Sequence, residues 1–189
     1  IGHIGIARRH PDWSTFSVLN ALLGGKFTSR INLNLRERHG YTYGATSRLV
    51  GRRNASPFVV ATAVSTESTG AATREVLFEL RRVREELATD VELAETQQYL
   101  IGVFPYTLQT IGDLARRLES LAVHDLPDDH YERYLAEVAV VDAPALRAVA
   151  ERRIDPERVA VVAVGPADTL APQFEGLGPI EIVRAARAV

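Results

Sequence analysis

The order of elements legible in the sequence predicts an α+β fold, with a largely antiparallel β-sheet covered on one face by helices. Three observations predict it. One strand, two helices, two strands, a long helical run and a last strand lack the strict alternation that a doubly wound parallel sheet requires. Two strand-like segments, the second rich in Val and Thr, flank one short polar turn, which is the pattern of a hairpin. Through the middle of the chain apolar residues recur three and four apart, as on helices that bury one side.

Ile1 to Arg9 alternates around Ile4 and Ile6 as a half-buried strand does, until His10-Pro11-Asp12 interrupts it. The helix that follows carries Trp13, Phe16, Leu19, Ala21, Leu22 and Leu23, with Gly24-Gly25 as its stop. A second helix is predicted from a Thr28 cap through Ile31, Leu33 and Leu35 to Arg38, ended by Gly40. Tyr43–Gly51 and Pro57–Ser65 form the hairpin. From Thr69 to Ala88, Ala72, Val76, Leu80, Val83 and Leu87 make one stripe, while Arg81/Glu85 and Arg82/Glu86 sit four apart on the wet side. Thr89 and Glu92 read as a capping box opening a helix that must break near Gly102 and Pro105. Ile111, Leu114, Leu118 and Leu121 carry a further amphipathic helix, Asp128–Ala139 another, and Asp142 caps the last. Arg158–Gly165 is predicted to close the core as a Val/Ala strand, with Ile180–Val183 as a short edge.

Composition excludes several classes of function. The 189 residues are 46% hydrophobic and 24% charged, far from disordered or fibrous chains. A net charge of −2 without a run of like charges offers no footprint for nucleic acid. No apolar stretch approaches the 18 residues of a spanning helix, and the absence of cysteine removes disulfides, thiolate metal sites and cysteine nucleophiles. Compartment stays open. Because the chain starts at Ile1 inside a strand-like segment, residues 1–189 are expected to form a single domain of a longer or processed protein.

Few residues carry chemistry on their own pattern. None of the five histidines stands in H-E-x-x-H or H-x-x-E-H, and a zinc site shared by His124 and His130, six apart, has no support. No G-x-S-x-G elbow is present. Gly24-Gly25 lacks the spacing of a phosphate loop and lies at the wrong end of a helix.

The segment Leu22–Ser47 stands out. Leu23-Gly24-Gly25, Ser29-Arg30-Ile31, Leu35-Arg36-Glu37 and Gly40-Tyr41-Thr42-Tyr43 follow, in order and spacing, a pattern of the pitrilysin/insulinase family of zinc metallopeptidases. The segment resembles the carboxy-terminal half of that family, particularly the processing-peptidase branch, and the rest of the chain resembles its domain plan more weakly. The resemblance implies two half-domains closing round a chamber, with the H-x-x-E-H zinc motif in the other half. It implies no cofactor in this chain and zinc in a partner domain or homologous subunit, with peptide as substrate; homo-oligomerisation stays open. It also implies that Arg36 and Tyr43 serve as catalytic and substrate-binding residues, since a guanidinium and a phenol O–H are donors that favour the oxyanion of peptide hydrolysis. Without H-x-x-E-H the chain alone is expected to be inactive. A non-catalytic subunit or scaffold of the same fold, and an unrelated α+β binding domain, are the alternatives.

Overall fold

A computed structural model describes residues 1–184. Its sheet has three antiparallel strands in the spatial order β1 (Gly2–Ile4), β3 (Pro57–Thr62), β2 (Ala45–Leu49). Register sets Gly2 against Val59 and Ser47 against Val60. Because side chains alternate across a strand, Ala45, Ser47, Phe58 and Val60 are buried while Thr46, Arg48, Pro57 and Ala61 face out. Helices therefore cover one face of the sheet, and the other is open.

The covering layer begins with α1 (Trp13–Asn20), which widens into a π-type turn over Ala21–Gly25 and packs on β2 and α7 (Ala143–Arg153). α2 (Arg30–Asn32) widens in the same way over Leu33–Arg38. α3 (Thr69–Glu85) lies against α2 and α7, and α4 (Asp90–Val103) against α6 (His130–Val140). α5 (Ile111–His124) follows a 3-10 turn at Phe104–Leu108, and α8 (Ala167–Leu170) is one short turn. Phe16, Leu19, Leu22, Leu23, Ile31, Leu35, Phe58, Leu80, Leu146 and Ile154 form the centre of the core.

The predicted caps on α4 and α7 form. Thr89 and Glu92 close a reciprocal capping box, and the Asp142 side chain accepts from the Ala145 amide. α4 ends at Val103, ahead of Pro105, which has no N–H to continue it. Other expectations are corrected. The strand read over Ile1–Arg9 shortens to Gly2–Ile4, and the hairpin strands to Ala45–Leu49 and Pro57–Thr62. The first helix does end at Gly25, where Lys26 turns extended, and Gly24 is needed in addition for a close approach: a Cβ there would lie 2.7 Å from Ser47 Oγ and 2.8 Å from its amide. Ser29, not Thr28, is the residue before α2, and its hydroxyl takes a hydrogen bond from Asn32 instead of capping. α3 stops at Glu85 because Glu86 is extended, so Leu87 leaves the stripe and is exposed. Arg82 meets Glu86 as expected, but Arg81 reaches Glu157. α6 starts at His130.

Arg158–Gly165 does not form a strand. Only Ala160 bridges, to Gly2, since a three-residue β1 offers too little edge for a longer ladder; Val164 is 96% exposed. Ile180–Val183 forms no strand either.

Candidate functional site

Arg36 lies in the wide turn after α2 and Tyr43 in the connection to β2, so the geometry of both depends on how residues 39–44 return the chain to the sheet. Gly40 makes the reversal with φ +63°, a left-handed conformation that costs glycine little. The Gly40 amide donates to Arg36 O at 3.1 Å, and the Tyr41 amide to Leu35 O at 2.8 Å. Beyond the turn, Thr42 Oγ1 lies 2.7 Å from Ala63 O and accepts from the Gly44 amide at 3.1 Å, tying the connection to the end of β3.

Two asparagines hold this arrangement from below. Buried Asn32 donates to Ala45 O at 2.7 Å and accepts from Ala45 N at 2.8 Å, so its amide pairs with the first residue of β2 as another strand would. Asn34 donates to Glu79 at 2.8 Å and Glu75 at 3.0 Å, fastening the wide turn to α3. Arg30 forms a two-bond fork with Glu92, at 2.9 and 3.1 Å, which joins the start of α2 to the start of α4. Burial alone would raise the Glu92 carboxyl, but Arg30 and the Thr89 amide more than reverse this and hold it at about 2.

The result is an open cleft of about 670 Å³ lined by Arg36, Glu37, Gly40, Tyr41, Thr42 and Tyr43 on one side and Ala63, Val64, Ser65 and Ser68 on the other. Arg36 and Tyr43 thus share one cleft. The Arg36 guanidinium lies over the Phe27 ring, 4.2 Å from its centroid, with Nη1 3.3 Å from Glu37. The Tyr43 side chain is unencumbered, with the residue 100% exposed. A guanidinium and a phenol at one opening are donors for a carbonyl or carboxylate oxygen. His39 stacks on Tyr41 with ring centroids 5.0 Å apart, and its Nε2 is 3.7 Å from Glu75.

The other motif residues serve packing. Leu23, Ile31 and Leu35 are core, and Ser29 and Arg30 are buried beneath the cleft. The positioning roles of Asn32 and Asn34 are not evident from the motif. Their one sequence signal is a pair of poor helix formers inside a predicted helix.

Among the described residues no three His, Asp or Glu side chains converge on a point, and His130 is engaged by Arg8 rather than by His124.

The sequence pattern of the peptidase M16 inactive domain matches residues 1–100, just over half the chain. The chain belongs to the peptidase M16 inactive-domain family. The matched span of this M16 domain contains the whole sheet, α1 to α3, both walls of the cleft and nearly all of α4. Among curated proteins none matches the sequence. The fold is similar to that of the peptidase M16 inactive domain from Pseudomonas fluorescens, with a TM-score of 0.76 and 22% identity over 82% of this chain and 37% of that one. A protease from Helicobacter pylori gives 0.75 at 18% identity, over 82% and 38%. Complex III2 from Candida albicans gives 0.70 at 10% identity, over 80% and 38%. At such identities the likeness is one of fold alone, and this M16 domain spans under two fifths of each of those chains.

Proposed function

We propose that this M16 domain is the zinc-free half of a zinc endopeptidase that degrades or processes peptides. A companion domain or subunit would carry the metal. The observation that carries the reading is the meeting of Arg36 and Tyr43, seven residues apart in sequence, at one open cleft. Here an extended peptide lies along the opening, and the Tyr43 O–H and Arg36 guanidinium donate to the carbonyl oxygen on which negative charge develops. Both donors lie at the opening. Arg36 is held by the Phe27 ring and Glu37, while the Thr42 clamp fixes the backbone beside Tyr43 and leaves its exposed side chain to be ordered by substrate.

Reconstitution with a zinc-bearing M16 half tests this. Tyr43→Phe removes a hydroxyl from a side chain that packs on nothing, so melting temperature should be unchanged while kcat for peptide hydrolysis falls on the order of 10²–10³, as when one oxyanion donor is deleted. Arg36→Lys keeps the charge but loses the planar fork and should also be impaired. Near-full kcat in Tyr43→Phe would overturn the assignment. It would favour the second reading, a structural subunit, which the fold likeness to complex III2 from Candida albicans supports.

A further inference from the structure

A second cleft, of about 290 Å³, opens where the connection from β1 to α1 meets the connection from α5 to α6. It shares no residue with the first. Arg8, Arg9 and Arg133 line it together with His10 and His130, against two carboxylates, Asp125 and Glu137. Most of these charges are already matched. Arg9 pairs with Asp125 at 2.8 Å, Arg133 with Asp129 at 2.8 Å, and Glu137 accepts from Ser14 at 2.5 Å.

Arg8 is the exception. It is only 9% exposed, yet no carboxylate pairs with it among the described residues. Its guanidinium lies over Trp13, 4.5 Å from the ring centroid. Nη2 donates to His130 Nε2 at 2.7 Å, so that nitrogen must carry a lone pair and the imidazole proton sits on Nδ1. Nη1 is buried with no hydrogen-bond partner at all. A guanidinium cannot shed its proton to escape this, and an uncompensated buried cation is among the costliest features a fold can keep. Nor does His130 relieve it, since burial and the Arg8 charge itself hold the imidazole below its ordinary pKa and favour the neutral ring.

We propose that this cleft binds a small oxyanion, phosphate or carboxylate, with Arg8 as its principal ligand and Arg133 on the rim. With Arg9 on Asp125 and Arg133 on Asp129, Arg8 is the one arginine of the lining left without a carboxylate partner among the described residues. The free edge of a planar guanidinium suits the paired oxygens of either anion. An anion in the cleft gives Arg8 a counter-charge, and a turn of the guanidinium brings the buried Nη1 to its oxygens.

Trp13 is the only tryptophan of the chain and lies under the proposed ligand's main partner, so its fluorescence reports on the site directly. In the purified chain, exchange of chloride for inorganic phosphate at constant ionic strength should change Trp13 emission saturably. A parallel titration with acetate separates the tetrahedral anion from the carboxylate, and the tighter of the two names the ligand class. Arg133→Glu reverses an exposed rim charge without touching Arg8 and should raise the midpoint roughly tenfold. Arg147→Gln, whose side chain pairs with Glu151 on α7 outside the cleft, should leave it unchanged. Arg8→Met should abolish the response. If that variant melts early, the Arg133 comparison still decides the matter. Absence of saturation with both anions, or a midpoint that Arg133→Glu does not move, would overturn the proposal.

Discussion

α3 and α5 carry the same kind of amphipathic pattern and meet opposite fates. On α3, Val76, Leu80 and Val83 are buried against α2 and α7, and the stripe is the centre of the core. On α5 no residue is buried, with Ile111 87% and Leu118 66% exposed, although its apolar and polar faces are at least as well separated. Periodicity decides which residues share a face. Burial needs a second surface: α3 has α2 and α7, whereas among the described residues α5 meets chiefly the turn at Phe104–Leu108 and Tyr131, too little to bury any of its residues. The family pattern, which ends at residue 100, stops short of α5 as well.

Paired truncations test that contrast most directly. Leu80→Ala removes a side chain 1% exposed and should cost about 2–5 kcal/mol in a denaturant titration, whereas Leu118→Ala should cost under about 0.5 kcal/mol. Equal losses would mean that α5 is covered in solution. Next in size, Asn32→Ala removes both hydrogen bonds to Ala45 and leaves that backbone pair unsatisfied in a buried setting. A loss of about 1–3 kcal/mol is expected by the same titration. If the loss is nil, the clamp between α2 and β2 is not what positions the first cleft.

The smallest effect is electrostatic. The Glu92 pKa is about 2 in the fold against an ordinary 4.5. A lowered folded pKa means stability that is fully present above about pH 4.5 and lost as pH falls towards 2. Wild type should therefore lose stability over that interval more steeply than Glu92→Gln, as read by melting temperature against pH. Parallel curves would show that the Arg30–Glu92 fork contributes nothing net. Because Glu92 is partly exposed, solvent screening reduces the effect below that of the Leu80 and Asn32 truncations.

Local signals were the most legible part of the molecule. The capping box of Thr89 and Glu92, the cap at Asp142 and the break before Pro105 each depend on neighbours within a few positions, so reading them needs no partner element. The α3 stripe was legible for the same reason, except at Leu87, where one extended residue ends the helix. Arg158–Gly165 misled, since its Val-rich alternation suits a strand but a strand needs an edge to pair with, and β1 supplies one residue. For the candidate site, the family pattern pointed to Arg36 and Tyr43, and the fold subsequently placed both at one cleft. Asn32, Asn34 and Thr42, which hold that cleft in shape, gave no comparable sign because their partners lie 13 to 45 residues away.

Composition, periodicity and caps were thus sufficient by themselves for an α+β chain with a helix-covered antiparallel sheet, without thiol chemistry or a spanning helix. They act over three or four residues, and the sequence displays that range directly. Tertiary structure alone decided which amphipathic faces find cover, why Gly24 must lack a side chain, and that Arg8 is buried without a counter-charge. Each of these depends on surfaces far apart in sequence coming within a few ångströms, and that distance is set by the packing of the whole fold.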